Sequence, residues 1–236
     1  MPKEIPEHSR YVPNSSSSVS DTSPRFSNHE TVELSIGPSE VKFHVHEAFL
    51  SRVSTVFKSA FNGAFKEGKE KKMKLPEEDP QTFELFVQWL YVKHYELPDE
   101  DGSEERHDHM ETIQLFCLAE KYGVRQLKEL LVSLVFKAAH DRSLTSMKPP
   151  SIRNLLFLYE HTSDNSGFRR LYVDYWVWII KLEYLRQEEV KEQLCTQPQL
   201  AVDLMAELTK RVNDHHAKSP FTRCQASDYF DKVDEA

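Results

Sequence analysis

Between residues 31 and 61 the hydrophobic pattern changes its period, and few folds accept that order of elements. Val32, Leu34 and Ile36 alternate with Thr31, Glu33 and Ser35, the repeat of two that turns one face of a strand toward a core. Gly37-Pro38-Ser39 supplies a turn and residues 41–45 a second strand, so the opening segment is predicted to be a hairpin. From His46 the repeat lengthens to that of a helix. Phe49, Leu50 and Val53 share one face, and Ser54 can cap a second short helix that sends Val56, Phe57, Ala60 and Phe61 inward before Asn62-Gly63 ends it. A hairpin feeding two short helices predicts a mixed α+β core.

Downstream, Met73-Lys74-Leu75 reads as a third short strand, closed by Pro76. Asp79 suits an N-cap and Pro80 the first helical position, which predicts a helix over 80–91 burying Phe83, Phe86, Val87 and Leu90. His94 to Leu97 reads as another short strand, followed by an acidic loop over 98–109. Two helices are expected over 110–122 and 124–139, with Gly123 in the left-handed conformation between them. Past Pro149-Pro150 the pattern is helical only, over 151–161, 168–185 and 199–216. The expected organisation is a disordered Ser/Pro-rich tail (1–28), a mixed domain (29–141), an all-α extension (150–217) and a flexible tail (218–236).

Charge and composition narrow the function classes. A formal net charge of −8 repels a phosphate backbone, so direct nucleic-acid binding is not expected. The three cysteines, Cys117, Cys195 and Cys224, form no C-x-x-C pair and read as reduced thiols of a cytoplasmic or nuclear protein. The most apolar run, 175–180, is far below the roughly 20 residues a bilayer crossing takes, so no membrane span is expected. Neither G-x-S-x-G, G-x-G-x-x-G, a P-loop nor H-E-x-x-H occurs, and His44 and His46 share a strand face without further ligands spaced to join them. No enzyme activity, cofactor or metal is predicted; a deep polar pocket of titratable side chains would reopen the enzyme reading.

Five stretches in order resemble the BTB/POZ family. The segment 41–61, with Phe43, His46, Phe49, Leu50, Ser51 and Phe57, is similar to its opening signature. Asn62-Gly63-Ala64-Phe65-Lys66-Glu67 resembles the loop after its second helix, and Leu75 to Pro80 the start of the next helix. Residues 86–91 resemble the stretch that closes in Leu-Tyr. Ala119 to Val124 with Leu127 resembles the A-x-x-Y-x-x-x-x-L junction. The likeness covers about 31–139 and implies a BTB/POZ fold, a small mixed sheet flanked by a helix cluster, followed here by an all-α extension.

The resemblance implies a module for dimerisation and partner recruitment, in many members a substrate adaptor of a cullin-type ubiquitin ligase. Such adaptors carry a hydrophobic-x-Glu element after the second helix, which Phe65-Lys66-Glu67 matches; the other reading is that Phe65 closes the loop onto the core. Tyr122 and the helix starting near Pro80 are implied as further contacts. His46-Glu47 stands where many members have His-Lys, and Glu30 where Asp often precedes the first strand, which speaks against the family's usual charge pair at a homodimer groove. A transcriptional or chromatin co-regulator working through a DNA-binding partner is the alternative. Trp176, Trp178 and Ile179 in the extension either pack it onto the core or offer a substrate surface.

Overall fold

The computed structural model describes residues 30–97, 109–141, 150–180, 182–213 and 219–232; the expected N-terminal tail and nearly all of the acidic loop lie outside them. β1 (Thr31–Ile36) and β2 (Val41–His46) form the predicted hairpin, in antiparallel register from Thr31 opposite His46 to Ile36 opposite Val41. Gly37 takes the turn at φ 71°, a conformation open to glycine without cost. The chain then crosses over through α1 (Glu47–Val53), α2 (Thr55–Asn62) and α3 (Lys66–Glu70), so that β3 (Lys72–Leu75) returns parallel to β1. The sheet order is β2-β1-β3. β1, in the middle, sends Val32, Leu34 and Ile36 into full burial.

Local signals hold where expected. The Ser54 hydroxyl accepts the Phe57 amide and starts α2, while the Asp79 carboxylate accepts the Thr82 amide and starts α4 (Pro80–Val92). Two refinements concern which side chains point in. Phe57 and Phe61, four apart, take the core face of the eight-residue α2, which leaves Val56 41% exposed rather than inward. On α4 Trp89 is buried, and Val87 only half-buried. The segment 94–97 is not a strand: Lys93 ends α4 in the left-handed conformation, and Tyr95 then anchors the chain by its ring, its hydroxyl reaching Glu111 at 3.1 Å.

α5 (His109–Lys121) and α6 (Arg125–Asp141) flank Gly123 at φ 64°. Cys117 sits in the wall of this pair, and burial pushes its thiol up to about 12, which suits a core residue. Next come α7 (Ile152–His161) and α8 (Gly167–Ile179). The helix expected over 168–185 breaks at Ile180, whose backbone turns extended. Beyond the break lie α9 (Leu182–Leu185), an unforeseen α10 (Glu188–Thr196) and α11 (Pro198–Asn213).

The extension does not fold around a core wholly its own. Leu158, Phe168, Leu171, Tyr172 and Tyr175 belong to the same buried cluster as β1, α4 and α5, and Phe116 stacks on Phe168 with ring centroids 4.0 Å apart. A second cluster, centred on Trp176 with Leu155, Val190, Leu200 and Leu204, seats α10 and α11 on the outer side. Trp176 is fully buried and its indole N–H donates to the Pro150 carbonyl, so it packs the extension instead of offering a surface.

The C-terminal segment is a correction. It was expected to be a flexible tail over 218–236, yet 219–232 folds into α12 (Pro220–Arg223) and a 3₁₀ turn (Ala226–Tyr229) with Phe221 and Tyr229 buried in the main core. Two aromatic anchors and polar ties replace periodicity here. Asp231 pairs with Lys128 at 2.5 Å and accepts the Gly167 amide at 2.7 Å, and the Tyr229 hydroxyl donates to Asp174 at 2.6 Å. The segment thus straps α6 to α8.

Asp174 makes this strap respond to pH. Desolvation raises its carboxyl from 3.8 to about 6, against the lowering hydrogen bond from Tyr229, with Glu207, Lys210 and Arg223 as the nearby charges. The native state therefore keeps a proton that the unfolded chain has released. Stability is expected to fall as pH rises from about 4 to about 6, by up to about 3 kcal/mol, and then to level off. Urea unfolding across that range checks this, and Asp174→Asn is expected to flatten the profile.

Candidate protein-docking site

The loop from α2 to α3 is fixed by backbone geometry. Gly68 lets the first turn of α3 lie against the end of α2, since a Cβ there would stand 2.2 Å from the Gly63 carbonyl oxygen. Lys71, left-handed at φ 53°, closes the far side: its ammonium donates to the Phe61 carbonyl at 3.1 Å and to Glu47 at 2.7 Å. The loop cannot relax freely around its tip.

At that tip Phe65 is the residue before α3 and is 74% exposed, so its ring does not close the loop onto the core. Glu67, in the first turn of α3, is half-buried, and the helix N-terminus favours its negative charge. The structure therefore presents a ring and a carboxylate on one short, stiffened element. An apolar anchor with an adjacent charge, held before a partner arrives, is the kind of feature that concentrates binding energy in an interface.

Tyr122 is placed differently. It is only 4% exposed, its ring lies flat on Phe57 at 4.7 Å, and its hydroxyl donates to Glu78 at 2.8 Å. Burial and the neighbouring Glu78 raise its phenol well above the usual range. The Tyr122 carbonyl also accepts the Ser54 hydroxyl at 2.5 Å. The residue implied as a contact is instead a support that locks the start of α2 to the end of α5. Tyr122→Phe is expected to cost about 1 kcal/mol of stability in thermal or urea unfolding, since Glu78 keeps Lys121 as a partner at 2.6 Å.

Glu47 is buried against Lys71, and His46 is tied to Tyr91 through its ring Nδ1 at 2.7 Å and its backbone N–H at 3.1 Å. Tyr91 tilts against Phe49 with centroids 5.1 Å apart, and beside it Val92 is 70% exposed. This second apolar face was not foreseen, because the helical period over 80–91 picks out only the inward Phe83, Phe86, Val87 and Leu90 and stops short of Val92.

A polar cleft of about 450 Å³ lies between α7, α8, α11 and the C-terminal strap. Its titratable groups hold one another: Tyr159 donates to Asp203, Tyr229 to Asp174, and Arg169 to Asp164 and to the Tyr159 carbonyl. They stitch helices together. Among the described residues no group of three or more His, Cys, Asp or Glu side chains could hold a metal ion, and no helix is long and apolar enough to cross a membrane.

No curated protein matches the chain. Residues 24–135 match the family model of the BTB/POZ domain, a span that holds the three-stranded sheet, the α2–α3 loop and Tyr122. With the hairpin, the helical crossover and the α5–α6 junction all in that order, the chain carries a BTB/POZ domain over residues 24–135, a module for binding other proteins and for dimerisation.

Proposed function

We propose that this protein is a substrate adaptor that joins a cullin-type ubiquitin-ligase scaffold to a target protein, in the cytoplasm or nucleus. The observation that carries the reading is Phe65, 74% exposed at the tip of a loop whose backbone is otherwise pinned by Gly68 and Lys71. An exposed Phe on a rigid loop loses little entropy on docking, so its burial goes largely into affinity. Glu67 beside it supplies a charge for register and selectivity. The Phe49–Tyr91–Val92 face suits the dimerisation that belongs to the domain.

Isothermal titration of the full chain with a cullin N-terminal domain tests the proposal. Phe65→Ala is expected to weaken the complex about 30-fold, or roughly 2 kcal/mol, and Glu67→Ala about fivefold. Neither should shift unfolding by more than about 0.5 kcal/mol, because both side chains lie outside the core. Tyr122→Phe should bind as the parent does, which separates support from contact. Binding that ignores the double substitution, or a parent protein that does not bind, removes the adaptor reading.

A further inference from the structure

The C-terminal strap begins with a hydroxyl that the fold does not use. Ser219 is 6% exposed, and its Oγ finds no hydrogen-bond partner among the described residues. It precedes α12, yet its side chain accepts none of that helix's amides. Its carbonyl holds the turn instead, accepting the Thr222 amide at 3.0 Å and the Thr222 hydroxyl at 2.8 Å. A buried hydroxyl without a partner is a net cost to a fold. Capping and packing thus give the Ser219 oxygen no role.

Its setting in the chain gives it one. Pro220 follows directly, and the backbone at Ser219 is extended, at φ −48° and ψ 135°, as a following proline favours. One class of protein kinases selects a serine in this setting, because proline brings no amide N–H that an apolar pocket would leave unpaired. We infer that Ser219 is a phosphorylation site for a proline-directed kinase, covered and uncovered by the strap itself. In the seated strap Ser219, Pro220 and Phe221 are all buried, with Phe221 edge-on to Phe136 at 5.7 Å and to Tyr175 at 5.8 Å. The kinase therefore reaches the serine only when residues 219–232 lift. In the transfer, Ser219 Oγ bonds to the γ-phosphorus of Mg-ATP, the bond from that phosphorus to the β–γ bridging oxygen breaks, ADP leaves, and the hydroxyl proton passes to the catalytic carboxylate of the kinase. The phosphate then blocks the return. It brings close to two negative charges and three acceptor oxygens, and a covered position that leaves one hydroxyl without a partner does not accommodate them. Phe221, two residues on, stays out with it, which bares its aromatic seat on α6 and α8.

Ser23-Pro24 is the other Ser-Pro pair of the chain, so the test uses the full chain carrying Ser23→Ala. A mitogen-activated protein kinase with Mg-ATP should add one phosphate, placed on Ser219 by mass spectrometry, and none after Ser219→Ala. A synthetic peptide of residues 214–225 should be a good substrate. Asp231→Ala, which removes the ties to Lys128 and to the Gly167 amide, should be phosphorylated about tenfold faster, since access follows the population of the lifted strap. Phe65→Ala should be modified as the parent is, because the inference does not rest on the cullin reading. Hydrogen exchange over 219–232 should be about tenfold faster in the phosphorylated chain, and a phosphatase should restore it. Equal rates for the parent and Asp231→Ala overturn the inference. So does the absence of phosphate on Ser219 in both chains or in the peptide, and so does a phosphorylated chain whose strap exchanges as slowly as before.

Discussion

Gly167→Ala is expected to lift the C-terminal strap off α8 and to cost about 3–5 kcal/mol. A Cβ at residue 167 would stand 1.8 Å from the Tyr229 carbonyl oxygen and 2.6 Å from its carbon, both of them backbone, so no side-chain rotation relieves the clash. When the strap moves it surrenders the Gly167–Asp231 hydrogen bond, the Lys128–Asp231 pair and the Tyr229–Asp174 bond together. Burial of Tyr229 goes with them, at about 2 kcal/mol or more, and each lost hydrogen bond adds about 1 kcal/mol. The gain in helix propensity from Gly to Ala is at most about 1 kcal/mol and does not offset this. Urea unfolding should show the loss, and limited proteolysis should cut first within 219–232.

Phe57→Ala is expected to be comparably severe and to reach the docking loop. Phe57 is fully buried and stacks on Tyr122, Phe61 and Phe86, so truncation leaves a void at the meeting point of α2, α4 and α5. The cost is about 3–5 kcal/mol, against roughly 1 kcal/mol for Phe57→Leu, which refills most of the space. Because α2 carries the loop whose tip is Phe65, the Ala variant should also lose partner affinity in excess of its folded fraction. Comparing the two substitutions by unfolding and by titration separates packing from positioning.

Much of this was legible from residue order alone. The alternation at Val32, Leu34 and Ile36 and the caps at Ser54 and Asp79 each rest on neighbours a few residues away, and each holds in the structure. What depends on distant partners was not legible. Tyr122 owes its burial to Phe57 and Glu78, far off in the chain, so its likeness to a family position indicated a surface role that its packing denies it. Phe221 and Tyr229 are seated by Gly167 and Asp174, and a segment with two anchors and no period reads as a loose tail. On α11 the sequence shows two apolar rows, and only the seat of Leu200 and Leu204 on Trp176 tells which one is left outside.

Hydrogen exchange of the full chain, read with and without a cullin N-terminal domain, tests the adaptor account most directly. Slowed exchange of the amides of 62–71 on complex formation, with the α11 face unchanged, is the predicted result. Unaltered exchange throughout 62–71 in a chain that still binds would contradict it.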